Sequence, residues 1–448
     1  MTDNNENRLK VCDFVLGDKE TKQSPHCCVS LFSGAGLSDI GYELAGFSIA
    51  MQAESERDRA SFLERNFPKA VRVVGDIRNT WRTIIEEYRK NRLGRPSLLS
   101  ATPPCQGMSS SNPSRGKVSN PQDGTRAHRN LLVLSIVPIV DALNPRMVVA
   151  ENVPQFLLRS VTLPQSDKAQ RIVTVLEQRL PAYRLFAGIV QMADYGIPQL
   201  RRRCIVMLIK KDEPCIQWLD ENEKLPWPAA THSGNSANGL QPWISLSEWI
   251  KSMEYPPLNA KAIELASNPQ DPLHNVPVYC GNRYYWIADI PTHSGASAYA
   301  NFRCRSCGYE PVAGGLAYCP ACGSVLINRP HVMDASGKVR LIKGFKSSYR
   351  RMHPHRPAPT ITTASSHLGS DYKIHPWENR VLSIRECADL QTVPRFYDWQ
   401  WAIDNHRMYL VRQVIGEAIP PWFTFLHGQV LHGLLDGRAD PDALAKAN

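Results

Sequence analysis

Several stretches of this 448-residue chain put chemically capable side chains where a fold could use them. Cys105, in Ser100-Ala-Thr-Pro-Pro-Cys-Gln-Gly-Met-Ser109, follows an apolar run and sits on a turn stiffened by Pro103 and Pro104. Strand-end turns present reactive groups, so its thiol reads as a nucleophile or, more plainly, as an inert packing group. Glu151, in Ala150-Glu-Asn-Val-Pro154, ends another apolar run. There a carboxylate can serve as a general acid, hydrogen-bond a base, or simply face solvent. In Gln199-Leu-Arg-Arg-Arg203, strand alternation puts Arg201 and Arg203 on one face. Paired guanidiniums suit phosphate or a pyrimidine carbonyl, the plainer reading being a solvated basic edge. The stretch from Ser109 to Arg129, rich in Ser, Asn, Gly and basic residues, has the length of a closing loop.

A glycine turn, Ser33-Gly34-Ala35-Gly36, separates the apolar run ending at Phe32 from a helical pattern over Leu37 to Gly46. Such a turn lets backbone approach a nucleotide-like ligand, and an acid about 20 residues later can bind ribose hydroxyls. Glu54 stands at that interval, and Asp76 ends a further apolar run. Because Gly34, Gly36 and Gly41 do not complete G-x-G-x-x-G, an adenosyl ligand is favoured over a dinucleotide. Cys304-x-x-Cys307 and Cys319-x-x-Cys322, each followed by glycine, have the spacing of two metal knuckles. Four thiolates leave no open position, so a tetrahedral structural zinc is expected.

The elements that must position these groups are apolar runs ending at Phe32, Ala53, Gly75, Ala101, Ala150, Val190 and Ile209. Helix-like sequence follows the first three, and Leu131 to Leu143 reads as a buried helix. Repeating units of this kind predict an α/β fold with a doubly wound parallel sheet. Residues 1–25 read as a flexible tail, 26–211 as the catalytic, cofactor-binding domain, and 212–345 as a smaller, mostly β domain with the zinc ribbon at 302–324. In that region Val278-Tyr-Cys and Tyr284-Tyr-Trp-Ile287 are read as short aromatic strands. Residues 346–404 read as the end of that domain and a hinge, and 405–448 as a segment rejoining the first domain.

Lys plus Arg number 52 against 42 Asp plus Glu, a formal +10, which suits a polyanion such as nucleic acid. Hydrophobic residues at 43% exclude wholesale disorder, and no apolar run is long enough to cross a bilayer. Twelve dilute cysteines and a polar start without a secretory pattern predict a cytoplasmic protein with reduced thiols.

Together, Phe32-Ser-Gly-Ala-Gly36, Glu54, Gly75-Asp-Ile77, Pro103-Pro-Cys-Gln106, Glu151-Asn-Val153, Tyr195-Gly-Ile-Pro-Gln199 with Arg201 and Arg203, Arg351 through Pro357 with Thr360, and Gly416 to Pro421 resemble the cytosine-5 DNA methyltransferase family, bacterial restriction-modification type. The resemblance spans roughly residues 28–210 and 345–425. It implies a Rossmann-like S-adenosyl-methionine-dependent methyltransferase domain, with residues 212–345 as a target-recognition domain. It further implies that Cys105 attacks carbon 6 of a flipped-out cytosine and carbon 5 takes the methyl group. Glu151 would hold or protonate ring nitrogen 3, Arg203 with Arg201 would steady the ring carbonyl, and Asn152 would position the cysteine loop. Phe32, Ser33, Gly34, Ala35, Gly36, Glu54, Asp76, Ile77 and Pro104 would line the cofactor, and Gln106 and Gln199 would touch substrate. Arg283, Tyr284, Tyr285, Trp286, Arg303, Arg305 and Lys343 are candidate DNA contacts in the recognition region. The implied partners are double-stranded DNA and a cognate restriction or defence nuclease, in a prokaryotic cytoplasm at the nucleoid. Methylation of tRNA cytosine and a catalytically silent DNA-binding regulator are the alternatives. Two positions depart from the family pattern: Leu37 replaces a common glycine and Glu417 the usual asparagine.

Overall fold

The computed structural model describes residues 3–20, 25–104, 131–162, 168–235, 239–344 and 347–437. Strands β1 (Cys27–Leu31), β2 (Ser48–Glu54), β3 (Val71–Val74), β4 (Leu98–Ala101), β5 (Met147–Asn152), β6 (Tyr183–Gln191) and β7 (Arg202–Lys210) form one sheet in the order β3-β2-β1-β4-β5-β7-β6. The first five run parallel, as the repeating units predict. Strand β7 instead pairs antiparallel with both β5 and β6, because the connection from Met192 to Arg201 is too short for a parallel crossover. Alternate residues bury into opposite layers: Met147 and Val149 enter one core, Val148 and Ala150 the other. A sheet covered on both faces needs such continuous apolar strands.

Helices α2 (Leu37–Leu44), α3 (Arg57–Asn66) and α4 (Ile77–Lys90) follow the first three strands. The expected buried helix before β5 is a 3-10 turn, Leu132–Ile136, continued by α5 (Val137–Leu143). Pro138 lies in its first turn, where a missing N–H costs nothing. The strand order reverses between the parallel neighbours β1 and β4, and the carboxyl ends of strands at such a switch point are the usual ligand position in doubly wound sheets.

Residues 3–16, read above as tail, form helix α1 (Asp3–Leu16). Val11 and Val15 are buried, and Phe14 sets its ring 5.2 Å from Trp422. Its apolar positions, three to four apart, make one side stripe, which the polar flanks mask in the sequence. The second region is loop-rich rather than mostly β. Its longest described strand, Asp271–Asn275, has 5 residues, and Tyr284 to Ile287 lie within a helix, Asn282–Ala288. Short aromatic runs read equally as strand or buried helix, and here Trp286 and Ile287 turn inward toward Ile290.

The chain returns to the first domain well before residue 405. Ala358–Pro359 pairs with Gln199–Leu200, and Asp398 bonds Asn66 of α3. Helices α6 (Met408–Glu417) and α7 (Pro421–Leu435) complete the return. Gly41 of α2 crosses α7 so closely that a Cβ would meet the Pro421 carbonyl at 2.3 Å. His427 of α7 is fully buried between the Tyr42 hydroxyl, 3.2 Å away, and the Pro226 carbonyl, 3.0 Å away. Burial pushes its pKa down to about 4. Between pH 6.5 and 4 the unfolded chain therefore binds a proton that the folded chain refuses, so stability falls with pH. From pH 7.5 to 5 this single group should remove about 2 kcal/mol. Denaturant titrations at the two pH values should show a shallower loss for His427→Gln than for wild type.

Candidate active site

The glycine turn follows β1 directly. Phe32, Gly34 and Gly36 all have positive φ, at 57°, 57° and 72°. Gly34 faces open space, whereas a Cβ on Gly36 would lie 2.6 Å from Phe67, so one glycine leaves room beside the turn and the other allows the close packing of α3. The Gly34 amide donates to Glu54 Oε2 at 2.8 Å, and the other carboxylate oxygen accepts from the Glu56 amide at 2.9 Å. Ser33, buried, donates its amide to the Ala53 carbonyl, and the Tyr397 hydroxyl donates to the Ala35 carbonyl at 2.6 Å. The acid at the end of β2 and the turn at the end of β1 thus form one structure.

Asp76 lies at the start of α4. It caps α4, accepting from the Arg78 amide at 2.9 Å, and the Arg78 guanidinium beside it holds its carboxyl below the usual range. Ile77, next in the chain, is buried.

Behind the turn lies a group that the sequence reading missed. Asp39, fully buried, accepts from Ser30 Oγ and from Gln52 Nε2, both at 2.8 Å, and burial pushes its pKa up to about 6. This knot ties β1, α2 and β2 together under the turn. Its signal is polarity at three core-facing positions, one on each element, since buried polar groups occur where they have partners.

The β4 and β5 ends are joined to the same turn. Thr102 donates its amide to Leu31 O at 3.2 Å and its hydroxyl to Phe32 O at 2.8 Å. Asn152, buried at the end of β5, donates to the Pro103 carbonyl at 3.0 Å, two residues before Cys105. Pro104 is exposed. Cys105, Gln106 and the stretch from Ser109 to Arg129 lie outside the described residues. Glu151 is 7% exposed, and its Oε1 lies 2.8 Å from Arg203 Nε on the antiparallel neighbour β7. Burial raises the Glu151 pKa, while Arg203 and then Arg201 pull against it. A buried carboxyl with raised proton affinity, facing one guanidinium, can hold a proton against a neutral or weakly basic ring nitrogen.

Arg201 and Gln199 do not share that position. Arg201 is fully buried, and its guanidinium donates to Ile361, Gly416, Glu417 and Ala418 carbonyls at 2.6–3.1 Å. It caps the C-terminus of α6, where helix carbonyls lack partners. The alternation argument failed because Arg201 sits between two strands, Gln199–Leu200 and β7, rather than within one. Gln199, also fully buried, uses both ends of its amide, donating to Gln391 Oε1 and accepting from the Ile361 amide. Both side chains are buried and bonded to the returning C-terminal segments rather than set beside Glu151.

In the second region the four cysteines converge. Cys304 Sγ lies 3.9 Å from Cys322 Sγ and Cys307 Sγ 3.8 Å from Cys319 Sγ, with all four within 4.8 Å of one another. Zinc–thiolate bonds of 2.3 Å in a tetrahedron require sulfur–sulfur edges of about 3.8 Å. Gly308 and Gly323, with φ of 76° and 69°, close each knuckle by donating to the carbonyls of Cys304 and Cys319. Beneath them Arg329, fully buried, donates to the carbonyls of Asn301, Val312, Ala313 and Leu316, fixing the segment between the two pairs. Arg305 donates through Nε and Nη2 to the two carboxylate oxygens of Asp289 and lies 4.0 Å over the Tyr285 ring, docking the knuckles on the neighbouring helix. Trp286, a suggested DNA contact, is buried in the core, whereas Arg283, Arg303 and Lys343 are exposed.

A mostly parallel sheet with an antiparallel last hairpin, a glycine turn and ribose-type acid at its switch point, and an acid at a neighbouring strand end define the class as a Rossmann-like S-adenosyl-methionine-dependent methyltransferase. Residues 27–426 match the family profile of the C-5 cytosine-specific DNA methylase. The chain is 29% identical to Type II methyltransferase M1.HgaI of Avibacterium volantium, over 88% of this chain and 94% of that one. It is 24% identical to Type II methyltransferase M.NgoFVII of Neisseria gonorrhoeae, over 88% and 83% respectively. The crystal structure described as that of a prophage-encoded DNA modification methyltransferase (E. coli) has the same fold, with a TM-score of 0.50 at 18% identity over 92% of this chain and 99% of that one. The chain belongs to the C-5 cytosine-specific DNA methylase family. It is a DNA (cytosine-5-)-methyltransferase with S-adenosyl-methionine as methyl donor. Helix α1 precedes the matched range, and no helix among the described residues is long and apolar enough to cross a membrane.

Proposed function

We infer that the protein methylates carbon 5 of a cytosine within one specific duplex sequence, as the modifying partner of a restriction or phage-defence nuclease in a prokaryotic cytoplasm. The observation that carries this reading is the joining of three strand ends. Asn152 holds the chain leading to Cys105, Thr102 ties that chain to the glycine turn, and Glu151 with Arg203 closes the far side. The open space at Gly34 beside the Glu54 carboxylate fits the adenosyl group of S-adenosyl-methionine, whose sulfonium would supply an electrophilic methyl.

Carbon 5 of cytosine is a poor nucleophile while the ring is aromatic. The Cys105 thiolate forms a bond to carbon 6, and electron density moves through the ring to carbon 5 and nitrogen 3. Glu151 holds the proton at nitrogen 3, and Arg203, steadied by Glu151, offsets charge at the ring carbonyl. Methyl transfer breaks the donor's sulfur–carbon bond and leaves S-adenosyl-homocysteine; solvent water then takes the carbon-5 proton, and departure of Cys105 as thiolate restores the aromatic ring. A paired base cannot be reached, so the cytosine is flipped out at a cost of a few kcal/mol. The similarity to Type II methyltransferases supports a restriction-modification setting. Duplex DNA from cells expressing the chain should carry 5-methylcytosine at one recurrent word. Modified tRNA with unmodified DNA would move the reading to RNA, and modification of neither would favour a silent regulator.

The Cys304, Cys307, Cys319 and Cys322 geometry supports one structural zinc. Metal analysis should find about one equivalent per chain, lost in Cys304→Ser. That variant should bind duplex DNA more weakly yet keep wild-type affinity for S-adenosyl-homocysteine, because no described contact of the knuckles reaches the glycine turn.

A further inference from the structure

Glu417 ends α6, where a negative charge opposes the helix dipole, and it replaces the asparagine usual in the resembled motif. The structure supplies its compensation. Arg59 Nη1 donates to Glu417 Oε2 at 2.6 Å and Nη2 to Oε1 at 3.2 Å, a two-armed pair across 358 residues of chain. Arg59 also donates through Nε to Glu56 Oε2 at 3.2 Å, and the Glu56 amide in turn donates to Glu54. A continuous bonded path thus runs from Gly34 through Glu54, Glu56 and Arg59 to Glu417. From the opposite side Arg201 grips the carbonyls of the same turn, and a Cβ at Gly416 would lie 2.3 Å from Thr362, so the segment has no room to shift inward. A second pair, Arg407 to Asp58 at 3.8 Å, joins the other end of α6 to α3.

We propose that Arg59 and Glu417 are a positioning pair for the cofactor: they lock α3, and with it the Glu54 end of β2, to the C-terminal motif, so that the acid keeps its place beside the glycine turn. This rests on the cofactor reading above and concerns this chain's own departure from its family. The pair is only partly exposed, at 16% for Arg59 and 36% for Glu417, and its two-armed geometry makes it directional rather than a loose surface contact.

Calorimetric titration with S-adenosyl-homocysteine should show Arg59→Ala and Glu417→Gln each binding about 5- to 20-fold more weakly than wild type, within the coupling energies usual between groups of one hydrogen-bonded network. KM for S-adenosyl-methionine should rise in parallel while kcat stays within about twofold, as expected when ground-state and transition-state binding fall together. The doubly reversed Arg59→Glu/Glu417→Arg chain should regain most of the lost affinity, because attraction between the two positions is restored. Variants that melt earlier yet bind S-adenosyl-homocysteine as wild type does would overturn the proposal and leave the pair a stabilising contact. Equal weakening in the reversed chain would also overturn it. Failure of the wild-type protein itself to bind S-adenosyl-homocysteine would instead strike the cofactor reading on which the pair depends.

Discussion

Cys105→Ala should abolish methyl transfer to duplex DNA, lowering the single-turnover rate on the order of 10⁴-fold or more, while leaving affinity for S-adenosyl-homocysteine unchanged. The size of the effect follows from the ring chemistry. Without a bond to carbon 6 no route raises the nucleophilicity of carbon 5, so the other groups have no developing charge to stabilise. Unchanged cofactor affinity is expected because the glycine turn is held by Glu54, Tyr397 and Ala53, all of which the substitution leaves in place. Rapid-quench kinetics on a saturating duplex separates the chemical step from binding. A residual rate within tenfold of wild type would remove Cys105 from the mechanism.

Glu151→Gln should cost about 10² to 10⁴ in kcat, the usual value of a positioned acid, with a much smaller change in KM for DNA. Glutamine keeps the shape of the carboxyl and an oxygen beside Arg203, but it cannot carry a proton to or from nitrogen 3. Glu151→Ala should cost more in stability than Glu151→Gln, because alanine removes both the charge and the oxygen beside the Arg203 guanidinium, 13% of whose side chain is exposed, whereas glutamine keeps an oxygen there. Urea unfolding of the two variants, beside their rates, distinguishes the two roles of this residue. Equal rates for wild type and Glu151→Gln would leave Glu151 a structural partner of Arg203 alone.

The parts of this molecule that were legible in the sequence are those fixed by local pattern. Apolar runs buried on both faces revealed the strands, and residues at or just past the strand ends, Gly34, Glu54, Glu151 and Asn152, fall at one edge because a parallel sheet brings its carboxyl ends together. The two C-x-x-C pairs announced their convergence through spacing alone. What stayed hidden depends on chain segments far apart. Nothing local says that Arg201 will cap α6 or that Gln199 will bridge Ile361 and Gln391, since their partners lie 160 residues or more away. Likewise Arg59 and Glu417 look like ordinary exposed charges until the fold sets them 2.6 Å apart. The segment Tyr284 to Ile287 was misread as strand because aromatic content favours both a pleated surface and a buried helix face. Helix α1 was misread as tail because only part of one face is apolar, and its partners Trp422 and Phe425 come from the other end of the chain.

The most direct test of the account is transfer of label from S-adenosyl-methionine by the purified full chain, offered mixed-sequence duplex DNA and total tRNA side by side, with Cys105→Ala as control. The account predicts label in DNA, recovered as 5-methylcytosine at one sequence word, none in tRNA, and none with the variant. Label in tRNA alone, or its absence from both substrates despite bound cofactor, would contradict it.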